Sequence, residues 1–165
     1  MLFRSLASRY MRITDPITLT TAGQGLSATV GTYTAPAAPD PLSLATNTSI
    51  NSISNQLEVR ASITTAGGPV SLSAPVISGP TAATITTSGG AVTLTSTVGA
   101  IQASPLAVNA GSGAMNAASA TTLNLGAVTG GSLTATAPSF VNFGDRKSTR
   151  LNSSHIQKSR MPSSA

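Results

Sequence analysis

Three carboxylates before residue 145 are the groups that could act as acids, bases or metal ligands: Asp15, Asp40 and Glu58. Hydrolysis by general acid–base catalysis needs two such groups held at a short, fixed separation. These three are far apart in the sequence, and Asp15 and Asp40 each precede a proline, as turn residues often do. Glu58 and Arg60 are spaced to lie on the same face of a strand. The sequence therefore predicts no catalytic residue and no enzyme activity.

Other kinds of reactive site are also missing from the sequence. The chain has no cysteine, which excludes thiol chemistry and cysteine-ligated zinc. Residues 1–144 contain no histidine or lysine, so neither a Ser-His-Asp set nor a P-loop can be assembled. No glycine pair is followed by the aspartate that a calcium-binding nonapeptide repeat requires. We expect no metal ligand, no cofactor-binding residue and no cofactor.

The positive charge is concentrated at the end of the chain. The formal net charge is +5, yet residues 61–144 carry no charged side chain. The segments 145–155 and 159–165, DRKSTRLNSSH and SRMPSSA, resemble the translated read-through of a sequencing adapter. That resemblance implies that residues 145–165 are an artefactual or disordered basic tail, which is excluded from the fold. The alternative is a tail that binds nucleic acid, but we expect no nucleic-acid partner.

A repeat of about 22 residues occupies the middle of the chain. Ile63–Ala74 returns as Ile85–Ser96, with seven of the twelve positions identical. A further copy lies 44 residues earlier, where Leu19–Gly23 corresponds to Ile63–Gly67 and Leu26 corresponds to Val70. A degraded copy begins at Val108. Each unit alternates apolar and polar residues, as a half-buried strand does, and contains a glycine pair typical of a turn.

A unit of this size is too small to bury its own apolar face, so stacking of successive units is expected. The sequence predicts an all-β fold, a right-handed parallel β-helix (solenoid) of roughly 20–23-residue coils, incomplete at both ends. An immunoglobulin-like sandwich is the alternative all-β fold. Residues 1–16 are assigned to a non-repeat segment and residues 17–144 to the β-helix. The expected interior columns are Ile63 over Ile85, Val70 over Val92, Leu72 over Leu94, and Val76 over Val98.

The unit I-T-T-x-G-G-x-V-x-L-x-[AS] resembles the repeats of filamentous-haemagglutinin-type exoproteins, which are bacterial adhesins, and related repeats of autotransporter passenger domains. The resemblance covers roughly residues 17–144 and is best at 63–96. It implies a secreted protein at the bacterial cell surface, associated with the outer membrane. An outer-membrane transporter would export it, and a host-cell or surface glycan or protein would bind regions outside this sequence. We expect a non-catalytic stalk segment that self-associates when isolated.

Two alternative functions remain open at this level. A β-helical carbohydrate-active enzyme would need carboxylates outside this sequence. A Thr-rich ice-binding β-helix would need its Thr-x-Thr pairs on one flat face. Those pairs are Thr18/Thr20, Thr84/Thr86, Thr93/Thr95 and Thr134/Thr136. Ser71 and Ser73 replace threonine in one copy, which makes such a face irregular.

Overall fold

The computed structural model describes residues 2–7, 10–31, 55–148 and 151–153, with side chains for 10–31 and 55–145. Predictions on other residues, Asp40 among them, lie outside the described residues. The described parts contain strands, turns and bends, but no helix. The strands are β1 Leu2–Ala7, β2 Tyr10–Ile13, β3 Ile17–Leu19, β4 Gly25–Val30, β5 Gln56–Val59, β6 Ile63–Thr65, β7 Val70–Ala74, β8 Val76–Ser78, β9 Thr84–Thr86, β10 Val92–Ser96, β11 Ile101–Ala103, β12 Ala107–Asn109, β13 Ala114–Ser119, β14 Thr122–Gly130, β15 Ser132–Thr136, β16 Phe140–Ser148 and β17 Leu151–Ser153.

The strands form a parallel β-solenoid, which confirms the predicted fold class. The first sheet has the order β1-β4-β7-β10-β13-β15-β17. The second has the order β2-β5-β8-β11-β14-β12-β9-β6-β3, with β16 beside β14. The second sheet doubles back because the long strand β14 pairs with both β11 and β12. Each coil therefore visits three stacks of strands, and every neighbour is reached in parallel by a full turn of the chain.

Alternation along each strand places the apolar residues inside. Strand β7 buries Val70, Leu72 and Ala74 and leaves the two serines between them half-buried, and β10 repeats this pattern. Val70 pairs with Val92 and Leu72 with Leu94, while Ile63 pairs with Ile85. These three predicted columns are confirmed. Because the side chains stack on identical or similar ones, the core is a set of continuous aliphatic columns.

The fourth predicted column is wrong. Ile77, not Val76, points inward and lies opposite Ile101, while Val98 is 60% exposed. The corner between β10 and β11 is longer than the corresponding corner after β7, which consists of Pro75 alone. The extra residues loop over that proline, whose carbonyl oxygen accepts hydrogen bonds from the amides of Val98 at 3.3 Å and Gly99 at 2.8 Å.

The register of the first repeat copy also differs from the prediction in part. Leu26 does lie opposite Val70, as expected. Leu19 lies opposite Thr65 rather than Ile63, because Ile17 occupies the position opposite Ile63. The turn after β3 therefore takes up more residues than the turns of later coils, and the shift of 44 residues holds only after that turn.

A column of glycines forms one corner of the solenoid. A Cβ atom on Gly90 would lie 2.3 Å from the carbonyl oxygen of Gly68, and one on Gly113 would lie 2.3 Å from that of Gly90. In the pairs Gly67-Gly68 and Gly89-Gly90, the first glycine has a different role from the second. Gly67 and Gly89 have positive φ angles of 81° and 111°. The pair thus combines a left-handed turn with close stacking of backbone on backbone.

The sheets extend beyond both ends of the segment assigned to the repeats. Strand β1 pairs with β4 and β2 with β5, so residues before 17 contribute strands to both sheets. At the other end, β16 runs through residue 144 to Ser148 beside β14, and β17 pairs with β15.

Candidate functional site

The candidate carboxylates lie in different surroundings. Asp15 is exposed in the turn between β2 and β3, where its Oδ2 accepts a hydrogen bond from the Thr14 hydroxyl at 3.1 Å. Glu58 lies on β5 and is only 6% exposed. The two share no hydrogen-bond or ion-pair partner within the described residues. The structure therefore does not bring these two groups together as an acid–base pair.

Glu58 is the centre of a cluster of four side chains. Its neighbours on β5, Leu57 and Val59, are fully buried, so alternation directs Glu58 to the outer face. Parallel pairing of β2 with β5 places Arg12 directly opposite it. Arg60 follows β5 by one residue and returns to the same face, as the sequence predicts. Tyr10, two residues before Arg12, completes the group that we call the Glu58 cluster (Tyr10, Arg12, Glu58 and Arg60).

Both oxygens of Glu58 accept hydrogen bonds from charged or polar donors. Arg60 Nη2 lies 2.7 Å from Oε1, and Arg12 Nε lies 2.6 Å from Oε2. The Tyr10 hydroxyl also donates to Oε2. In addition, Arg12 Nε lies 2.7 Å from the Tyr10 oxygen, and the guanidinium carbon lies 5.3 Å from the ring centroid. The arginine side chains remain 44% and 41% exposed, so the carboxylate is covered by partners that themselves reach solvent.

The electrostatics of the cluster favour a permanently ionised Glu58. The hydrogen bond from Arg60 lowers the pKa of Glu58 from 4.5 to about 2, against the opposing effect of burial, with further help from Tyr10 and Arg12. Burial and the hydrogen bond to Glu58 raise the pKa of Tyr10. A carboxylate with this pKa carries no proton to donate at neutral pH, and its hydrogen-bonded oxygens make it a poor base. The arrangement is that of an ion-pair network linking two coils.

Sequence reasoning found the Glu58–Arg60 pair but missed Tyr10 and Arg12. Both lie in the segment assigned as non-repeat, and their partner Glu58 comes after residues 31–55 in the sequence. The available signal was the alternation in Tyr10–Ile13, where Ile13 is buried and Arg12 is exposed. That pattern indicates a strand, but it does not identify which strand it pairs with.

The Thr-x-Thr pairs lie on two different faces. Thr93/Thr95 and Thr134/Thr136 face outward from the first sheet, on β10 and β15. Thr84/Thr86 lies on β9 and Thr18 on β3, both in the second sheet, whereas Thr20 follows the end of β3. Strand β13, between β10 and β15, presents Asn116 and Ala118 instead. Around this interruption is an open groove of about 180 Å³, lined by Thr93, Leu94, Thr95, Asn116, Ala117, Ala118, Thr134 and Thr136.

Polar side chains on the second sheet link successive coils to one another. Gln102 Nε2 donates to the Thr122 hydroxyl at 3.0 Å, and Asn142 Nδ2 donates to Asn124 Oδ1 at 3.0 Å. Gln56 likewise donates to the Ser78 hydroxyl of the following coil. These amides reinforce the backbone ladders along the stacking direction.

Within the described residues, no group of three or more His, Cys, Asp or Glu side chains is placed to hold a metal ion. The same residues include no helix of the length and apolarity needed to cross a bilayer. Comparisons with protein-family models, with curated proteins and with solved structures find no match for this chain.

Proposed function

We propose that this chain is a non-catalytic structural segment, a stalk, of a secreted bacterial surface adhesin. The observation that carries the proposal is the continuity of the stack. Val70, Val92, Met115 and Leu133 follow one another in register through four coils of the first sheet. Such a stack forms a rod whose length grows by about 4.8 Å with each coil, which suits a spacer. The adhesin assignment rests on the resemblance of the repeat unit.

The surface chemistry supports a spacer rather than a reacting surface. Residues 61–144 present hydroxyl and amide groups without any charge, and the side-chain amides of Gln102 and Asn142 donate to a neighbouring coil. The one buried carboxylate described, Glu58, is held ionised between two arginines. Its oxygens are therefore used for cohesion between coils.

Surface exposure can be tested on the cells that produce the protein. Antibodies raised against the chain are expected to label intact, unpermeabilised bacteria, with an antibody to a cytoplasmic protein as the negative control. Labelling that appears only after permeabilisation would contradict the secreted, surface-bound role.

The stalk role needs a separate test, because surface location alone does not distinguish a spacer from a binding region. Thr93→Ser with Thr95→Ser copies the outward residues of the preceding coil, Ser71 and Ser73, and is expected to leave adhesion of the producing cells unchanged. Leu94→Ala, which damages the core beneath the same strand, is the matched disruptive variant. Loss of adhesion in the folded double-serine variant would show that this face binds the target and would contradict the spacer role.

A further inference from the structure

The length of chain between a strand of the first sheet and the next strand of the second sheet is much greater in one coil than in the others. Residues 31–55 separate β4 from β5, whereas Pro75 alone separates β7 from β8 at the equivalent corner. The Glu58 cluster spans this segment in the sequence, with Tyr10 and Arg12 before it and Glu58 and Arg60 after it. It joins β5, the first strand that follows, to β2 of the preceding coil.

Packing holds the preceding coil less tightly than the later ones. Met11, Ile17 and Leu19 are only partly buried, whereas Leu57 and Ile63, their neighbours in the next coil, are fully buried. An open groove of about 270 Å³ lies against this coil and is lined by Met11, Arg12, Ile13, Thr14, Asp15, Ile17, Leu26 and Ala28. Side chains that line such a groove have no packing partners on its open side, so they make fewer dispersion contacts than those of a filled core.

We propose that the Glu58 cluster is a latch that holds strands β2 and β3 against β5 and β6, and that these two strands open as a unit when the latch is broken. The sheet order supports this assignment, because β2 and β3 are the two end strands of the second sheet in the described residues, each paired on one side alone, β2 with β5 and β3 with β6. In the later coils, fully buried columns provide the cohesion that the cluster provides here. The inference concerns local opening and does not depend on the proposed stalk role.

Hydrogen exchange followed by mass spectrometry on the whole chain tests the latch. Glu58→Gln removes the negative charge while keeping the size of the side chain. We expect amides of residues 10–19 to exchange about tenfold faster in this variant, while those of 70–135 keep their rates. Gln102→Ala, which removes an exposed coil-to-coil hydrogen bond on the same face, is the control and is expected to leave residues 10–19 unchanged.

Two results would overturn the proposal. Unchanged exchange in residues 10–19 of Glu58→Gln would show that the cluster holds nothing closed. Equal acceleration through all coils would show that it contributes only to global stability. If Glu58→Gln does not fold, Arg12→Gln keeps the Glu58–Arg60 pair and removes the inter-coil ion pair, leaving the Tyr10–Glu58 hydrogen bond between the coils. A smaller acceleration with the same selectivity for residues 10–19 is then expected. In the unaltered chain, 1 M salt is expected to accelerate the same amides, because partly exposed ion pairs are screened.

Discussion

At the scale of single residues, Glu58 makes the stability of the fold dependent on acid. Its pKa is about 2 in the folded chain against an ordinary 4.5, so folding favours the ionised form. The resulting stabilisation is fully present above about pH 5 and is lost as the pH falls toward 2. Because Arg12 and Arg60 are partly exposed, we expect Glu58→Gln to lower the free energy of unfolding by about 1–2 kcal/mol at pH 7.

Urea unfolding at a series of pH values measures this effect. The difference between the unaltered chain and Glu58→Gln should shrink steadily from pH 5 to pH 2, since the other carboxylates are the same in both proteins. A difference that stays constant over this range would show that ionisation of Glu58 is not the source of the stabilisation.

The residue scale also shows how far sequence reasoning reaches at the candidate site. Glu58 and Arg60 are two positions apart, so alternation alone predicts that they share a face, and they form an ion pair. Arg12 reaches the same carboxylate only because β2 pairs with β5. That register pairs residues 46 positions apart, an offset that neither the composition nor the repeat period determines.

At the scale of the elements, the corner glycines limit how closely the coils stack. Gly90→Ala would place a methyl group 2.3 Å from the carbonyl oxygen of Gly68, and backbone cannot move aside as a flexible side chain can. We expect this substitution to lower the free energy of unfolding by about 1–3 kcal/mol. In Gly144→Ala, the control, the added Cβ would lie 3.4 Å from its nearest neighbour, the carbonyl carbon of Gly126, which is an ordinary contact. Thermal unfolding of the two variants should therefore differ, and equal melting temperatures would contradict the close approach of the corners.

The strand and the corner of one coil are expected to respond differently to loss of an aliphatic side chain. Leu94 is fully buried on β10, and Leu94→Ala should lower the free energy of unfolding by about 2–5 kcal/mol. Val98, in the corner that follows, is 60% exposed. Val98→Ala should therefore change the free energy of unfolding by less than about 0.5 kcal/mol. Chemical denaturation measures both. A large loss for Val98→Ala would support the sequence-based column of Val76 over Val98.

These elements show why most of the fold was predictable and some of its register was not. Strands carry a strict two-residue alternation, so Val70 over Val92 and Leu72 over Leu94 follow directly from the repeat. Corners have no such constraint, because their residues need only close the backbone hydrogen bonds. Two additional residues near Val98 therefore place Ile101 opposite Ile77, at an offset of 24 residues rather than 22, so that Val98 has no place in the interior column.

At the scale of the whole molecule, the number of residues in a coil is not constant. Val92 follows its partner Val70 by 22 residues and Met115 follows Val92 by 23, whereas Leu133 follows Met115 by 18. This coil is shorter in two places. Strand β14 passes across two stacks without the corner that separates β11 from β12, and Gly131 alone separates β14 from β15, whereas residues 110–113 separate β12 from β13. Interior columns persist through this change, so the stacking of side chains, rather than a fixed repeat length, maintains the fold.

A solenoid held together by neighbour contacts should accept an additional coil when the register is preserved. Duplication of residues 70–91 inserts 22 residues and places a second Val70 and Leu72 between the existing ones and the pair Val92 and Leu94. Because each new strand finds a matching strand on both sides, we expect the variant to fold and to unfold at a higher urea concentration than the parent. The same duplication with Val70→Asn and Leu72→Asn in the inserted copy is the control. It keeps the length of the insertion but places polar side chains in the interior columns, where they have no hydrogen-bond partners. Circular dichroism and urea unfolding compare the two, and equal behaviour would contradict a fold organised by columns.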